Sequence, residues 1–491
     1  MFLGIDIGTS SVKAVLVDER QRIVATASAP LAISRPRDLW SEQNPEDWWV
    51  AVEQAVGQLR REWATAWSGV RAVGLSGQMH GVVLLDEAGL PLRPAILHND
   101  GRAFAEAEEL NRKLPAIGTI AGVPAMPGFA APKLIWLGKH EPEVMRRARK
   151  MLLPKDYVRY RMTGSFATDM CDASGALLLD GAKRQWSPAI VEACGIAMSL
   201  LPPALEGCAV SGQLTGAVAR AWGLSPGTIV AAGAGDAAAG AIASGAVNEG
   251  DAFISLGTAT QYFVAREAYN PAPQHLIHSF CHGLPERWFQ MAALLNGAGA
   301  LSWAAGLLGR SDIGTLLDET EQAFTGSPSP VLFLPYLSGE RTPHNNPHAK
   351  GVLFGLTAST GPTQVTQAVL EGIALSLADA QGYLEETGAL PDRIAINGGG
   401  SRSRFWCRII ASALGKTVLL QDGSEAGPAF GATRLARIAA TGEEPAAVCP
   451  KPPVEAEIVP DPALAEAYAA KLTAFRTLYQ AVSPHFRLSS N

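Results

Sequence analysis

The first thirty positions hold three short apolar runs separated by turn chemistry. Phe2–Ile7 is apolar nearly throughout and Ser11–Val17 alternates apolar with polar, so each predicts a strand. Asp18-Glu19-Arg20-Gln21 supplies a tight turn, and 22–29 predicts a third strand. A helix follows, because Asn44-Pro45-Glu46-Asp47 offers a capping side chain, a proline in the first helical position and acidic groups at the positive helix end. It continues through 48–61, and 70–75 predicts a further strand running into a glycine-rich turn.

Strands first, then helix, then strand is not the βαβ opening of a dinucleotide-binding domain. It fits the βββαβα order of actin-like, ribonuclease-H-like domains. Leu3-Gly4-Ile5-Asp6-Ile7-Gly8-Thr9-Ser10 is echoed by Phe253-Ile254-Ser255-Leu256-Gly257-Thr258-Ala259, an offset of 249 residues (257 − 8) in a chain of 491. A repeat at half-length predicts two related domains facing each other. The expected fold is therefore α/β: two actin-like ATPase domains of mixed sheet and helices around a central cleft, divided as 1–246 and 247–491. Length supports this, since 491 residues exceed what one ordinary core holds.

Composition removes several classes. Apolar residues make up 47% and charged residues 18%, which excludes a disordered chain. A net charge of −6 gives no reason to expect nucleic acid or an anionic membrane as partner. Six cysteines without a C-x-x-C pair or zinc-ligand spacing read as reduced thiols of a cytoplasmic protein. Asp6 interrupts the apolar N-terminus too early for a signal-peptide core. Positions 229–247 carry no charge but Asp236, yet their Ala and Gly gain little in lipid and predict a buried glycine-rich turn region.

The candidate chemistry lies at the glycine-rich turns. Phosphate binding needs backbone N–H groups aimed at one place without side chains in the way. Gly8, Thr9 and Ser10 can supply that next to the Asp6 carboxylate, with Lys13 projecting from the following strand as a charge partner. Gly398, Gly399 and Gly400 join the strand 394–396 to a helix over 403–413, so a base or phosphate can lie on bare backbone near a positive helix end. Gly415-Lys416-Thr417 is no P-loop, because Ile410 stands where that pattern needs glycine. Gly233-Ala234-Gly235-Asp236 is no dinucleotide fingerprint, because position 238 is Ala. Asp236 is either paired or functional, as a lone charge among small apolar residues. It can cap the helix that follows and still accept a hydroxyl proton in phosphoryl transfer. Met79 and His80, on a glycine-bounded turn, can line a polyol pocket.

Over nearly its whole length the chain resembles the FGGY family of carbohydrate kinases. The landmarks include GIDIGTSSVK (4–13), LWSEQNPEDWW (39–49), SGQMHG (76–81), MPGFAAPKLIW (126–136), LLPKDY (152–157), GAGDAAAGA (233–241), PYLSGERTPHNNP (335–347) and NGGGSRSRFW (397–406), of which SGQMHG and PYLSGERTPHNNP are the most specific. The resemblance implies phosphorylation of a small ketose, D-xylulose, at its C5 hydroxyl by Mg-ATP. It implies that Asp236 is the general base, that Met79 and His80 meet the sugar, and that Asp6, with Asp236, lies near Mg²⁺ and phosphate. Gly8, Thr9, Ser10, Gly257 and Thr258 would form two phosphate turns, and Gly398–Gly400 the adenosine loop. It also implies a homodimer. Three positions depart from the family pattern: Ala237 for Asn, His98 for Trp and Ala130 for Thr, the first two bearing on sugar preference. The rival expectations are a relative acting on ribulose or glycerol, and a non-catalytic sugar sensor or chaperone-like ATPase; the sensor would need a DNA-binding segment and the chaperone a peptide-binding domain.

Overall fold

A computed structural model describes residues 1–421 and 427–489. The expected opening strands form as β1 (Phe2–Ile7), β2 (Ser11–Val17) and β3 (Ile23–Pro30). Helix α1 (Pro45–Glu62) follows, with the Asn44 side chain accepting from the Glu46 N–H. Strand β4 (Ala72–Gly77) lies parallel to β1 and reaches two residues beyond the predicted end, because Asp6 and Ile7 continue the ladder opposite Ser76 and Gly77. Two helices serve the site, α2 (Pro154–Thr163) and α3 (Met170–Gly175). Then come β5 (Val210–Gln213), β6 (Ile229–Ala231), β7 (Ala234–Gly235) and α4 (Asp236–Ala243). The first sheet is ordered β5-β6-β4-β1-β2-β3, with β7 also paired to β4.

The second half repeats the plan. Strands β8 (Ala252–Leu256), β9 (Thr260–Arg266), β10 (His278–Cys281) and β11 (Trp288–Leu294) precede the long buried helix α5 (Pro362–Glu386). Strand β12 (Arg393–Asn397), helix α6 (Arg404–Leu414), strand β13 (Thr417–Gln421), helix α7 (Gly427–Thr441), strand β14 (Val454–Ile458) and helix α8 (Pro462–Val482) complete it. The order is β10-β11-β9-β8-β12-β13-β14. In both sheets three antiparallel neighbours are followed by a parallel strand, β3-β2-β1-β4 in one and β11-β9-β8-β12 in the other. The sequence echo therefore falls on equivalent strands, β1 and β8.

Helix α7, from the second half, lies flat on the first sheet. A Cβ at Gly4 or Gly74 would fall 2.0 and 1.9 Å from the carbonyls of Ala429 and Ala432, and one at Gly431 would fall 1.8 Å from that of Ala239 on α4. Backbone meets backbone at these three points, so the first sheet carries a helix contributed from almost 200 residues downstream of α4. A second seam runs along β10, where Ser279 N–H donates to Gly122 O (3.1 Å) and Cys281 N–H to Ser174 Oγ (3.2 Å). One apolar core crosses this seam, including Phe129 and Leu134 from one side and Phe263 and Phe280 from the other. Among the described residues no helix is long and apolar enough to cross a membrane.

Candidate active site

Two carboxylates stand at the carboxyl ends of β1 and β7, the strands that flank the end of β4. Asp6 lies across from Ser76 on β4 and Lys13 on β2. Burial raises its pKa to about 6, with the Ser76 hydroxyl and the Lys13 charge pulling the other way. Asp6 Oδ1 and Ser76 Oγ are nevertheless both buried without a completed hydrogen bond. Asp236 follows β7, whose Gly235 pairs with Gly77. It is the first residue of α4 rather than its cap, which is Gly235, and its Oδ1 accepts from the Ala237 N–H at 2.8 Å in the first turn. Burial, and after it the negative charge of Asp6, raises its pKa to about 7. The two acids thus sense each other, and Asp236 is poised to change charge near neutrality.

The turn after β1 is braced by two glutamines. Gly8 N–H donates to Ser11 O (3.0 Å), Thr9 Oγ1 to Gln78 Oε1 (3.2 Å), and Gln43 Nε2 to Thr9 O (2.8 Å). Gln78 Nε2 in turn reaches Gln43 Oε1 at 3.0 Å, which also accepts from Trp48 Nε1 at 2.9 Å. Ser10 stays exposed. The equivalent turn after β8 is fixed by Ala298 N–H to Gly257 O (2.7 Å) and Gly299 N–H to Thr258 O (3.2 Å), with Thr258 exposed. Each turn thus pairs a braced backbone with an outward hydroxyl.

Met79 is buried directly beneath the Asp236 turn: a Cβ at Gly235 would come within 2.6 Å of its Sδ. His80, at φ +70°, places Nδ1 2.5 Å from Gly175 O. The carbonyl can only accept, so Nδ1 carries the proton and Nε2 of the neutral ring is left as an acceptor. Burial holds the His80 pKa well below its ordinary value. Lys133 Nζ donates to the carbonyls of His80 (2.9 Å) and Gly128 (2.7 Å), and the Phe129 ring packs edge-on against the imidazole. His98 lies two residues beyond Ile96, whose bridge to Val82 joins its strand to the segment that follows His80. Burial and the charges of Lys133 and Arg341 lower the His98 pKa to about 4, and its Nδ1 is buried without a partner. From β10, His278 also packs against Phe129, ring centroids 5.7 Å apart, with both ring nitrogens buried and unpartnered.

A cavity of about 830 Å³ opens between the halves, lined by Asp236, Ser255, Ala259, Gln261, Asn397 and Gly398 among others. Gly399 and Gly400 face away from it into a second cavity of about 470 Å³ with Ser302, Leu317 and Trp406. The structure therefore gathers Asp6, Asp236, Met79 and His80 at one end, leads past Gly398, and separates Gly399 and Gly400 into a pocket of their own. Gln43, Gln78 and His278 were not singled out from the sequence. Gln43 and Gln78 lie inside quoted motifs, but nothing local tells a buried brace from a solvated amide when its partner is 35 positions away.

Paired sheets of this topology, meeting at a cleft lined by Asp236 and Gly398, define the actin-like ATPase fold. Residues 1–243 match the N-terminal domain of the FGGY family of carbohydrate kinases and residues 252–440 its C-terminal domain. The chain belongs to that family. It is 46% identical to a xylulose kinase of Escherichia coli (strain K12) over 485 residues, 99% of each chain. A solved xyloylose kinase from Brucella ovis superposes with a TM-score of 0.95 at 42% identity, covering 98% of this chain and 99% of that one. A xylulose kinase from Rhodospirillum rubrum gives 0.91 at 30%, covering 99% of both.

Proposed function

We propose that this enzyme transfers the γ-phosphoryl group of ATP to the C5 hydroxyl of D-xylulose, with Asp236 as general base. The observation that carries the reading is the position of Asp236, which adjoins Met79 on one side and lines the cleft with Gly398 on the other. The two domains, 1–246 and 247–491, each contribute one phosphate turn, 8–10 and 257–258, as expected if the nucleotide lies between them. Full-length relatives named as xylulose kinases direct the choice of sugar.

The chemistry follows from the groups present. Ketose hydroxyls need neutral donors and acceptors, and His80 offers an acceptor at Nε2 beside the apolar surface of Met79. Asp236, partly shielded from water, takes the C5 proton as the oxygen attacks phosphorus. Amides of the two turns, with the outward Ser10 and Thr258 hydroxyls, meet charge on the transferred group. The adenosine rests in the pocket at Gly399 and Gly400, where the Cβ side of Gly399 is open. Mg²⁺ fits the acid pair: hard oxygen donors suit it, and the orphaned Asp6 Oδ1 is a buried acceptor in want of a partner. When bound with ATP it would neutralise phosphate charge, held through Asp6 and Asp236. Six free cysteines, five of them buried, agree with a reducing cytoplasm.

A coupled ADP-release assay across a panel of ketoses and polyols tests the assignment. D-xylulose is expected to give the highest kcat/KM. A clear preference for ribulose or glycerol would replace the substrate, and ATP consumption independent of any sugar would replace the function.

A further inference from the structure

Behind the sugar turn lies a fully buried group of charges that the reaction does not use. Lys155, the second residue of α2, places Nζ 2.5 Å from Asp156, 2.5 Å from Asp169 and 3.1 Å from Asp172. Arg159 joins at 3.0 Å from Asp156 and donates to Ala232 O at 3.1 Å. The three carboxylates offer oxygens within 4.8 Å of one another, and burial pushes the Asp169 and Asp172 pKa values up. Arg159 meets Asp156 alone, whereas the Lys155 ammonium lies against all three carboxylates.

Each partner leads to the site. The Lys155 stem packs against β4, its Cβ 3.1 Å from where a Cβ at Gly77 would stand, and Gly77 pairs with Gly235, next to Asp236. Asp169 caps α3 by accepting from the N–H groups of Cys171 (2.9 Å) and Asp172 (3.1 Å). At the other end of this short helix the Gly175 carbonyl receives His80 Nδ1, and a Cβ on Gly175 would meet Met79 Cε at 2.5 Å. A shift of α3 therefore moves the acceptor that sets both the place and the tautomer of His80.

We propose that Lys155 is a positioning residue for sugar binding: as an internal counter-ion it clamps α3 to the end of β4 and so holds Met79 and His80 in register with Asp236. The inference rests on the reading that Met79 and His80 meet the sugar. Nothing in the clamp touches the nucleotide cavities, so its loss is expected to act on one substrate only. Displacements of about 1 Å at a reacting site are worth up to about 10²-fold in rate.

Lys155→Met keeps the length of the side chain and removes its charge. The expected result is a KM for D-xylulose raised at least about tenfold, with the KM for ATP within about twofold of wild type. Glu371→Gln serves as a control for lost stability alone. It weakens a second lysine–carboxylate pair, Lys471–Glu371 at 2.5 Å between α5 and α8, and is expected to lower the melting temperature without changing the sugar KM. A folded Lys155→Met enzyme with both KM values unchanged, or with both raised in parallel, overturns the proposal. Should Lys155→Met fail to fold, Asp169→Asn takes its place: a sugar KM raised at least about threefold at constant ATP KM supports the clamp, and an unchanged one refutes it. A wild-type enzyme without D-xylulose-dependent ADP release would instead sink the substrate assignment on which the clamp's role depends.

Discussion

Asp236 and Asp6 share one desolvated corner, and their protonation links activity to stability. Both have folded pKa values above those of the unfolded chain, to about 7 and about 6. The neutral forms are thus favoured by folding, and the stability they contribute is present below about pH 4 and is lost as pH rises through 6 and 7. Asp236→Asn removes one such group, so its melting temperature relative to wild type is expected to improve between pH 5 and pH 8. A constant or worsening difference would contradict the burial account. Catalysis runs the other way, because the base must be ionised. The kcat/KM for sugar is expected to rise with pH to an inflection near 7. A flat profile from pH 5.5 to 8 would contradict it.

Local signals at element scale were readable where a single residue type decides the outcome. Asn44-Pro45-Glu46-Asp47 announces α1, and the Asn44 side chain indeed accepts from Glu46 N–H at 3.3 Å. Ser403 caps α6, and Gly415 ends it at φ +63°. Asn44→Ala should lower unfolding stability by about 1 kcal/mol with unchanged kinetic constants, as judged by denaturant titration. A loss near zero would show that Pro45 and the acidic first turn suffice. The end of β4 was harder to read: Ser76-Gly77 has turn chemistry, yet the parallel ladder with Asp6 and Ile7 holds both in the strand. The same limit applies to α3, a short helix whose cap, Asp169, is fixed by a lysine on another element. Asp236 and the turns at 8–10 and 398–400 stand out in the sequence because glycine beside an isolated polar residue is informative by itself. The Gln43–Gln78 brace and the Lys155 clamp do not, because each is an agreement between residues distant in sequence.

At the scale of the whole molecule, the half-length echo is the visible trace of two sheets built on one plan, with β1 and β8 each delivering a glycine-threonine turn. The sequence does not reveal that α7 crosses back to lie on β1 and β4, because Gly4 and Gly74 look like ordinary strand glycines until the opposing carbonyls of Ala429 and Ala432 are seen. That contact and the β10 seam are two separate places where the halves are tied together, and Asp236 lies in the cavity between the halves. The most direct test of this arrangement is the kcat of Asp236→Asn at saturating D-xylulose and Mg-ATP. A fall of at least about 10²-fold, with both KM values within a few-fold of wild type, is the predicted result. Turnover within about threefold of wild type would contradict the assignment of Asp236 as the base.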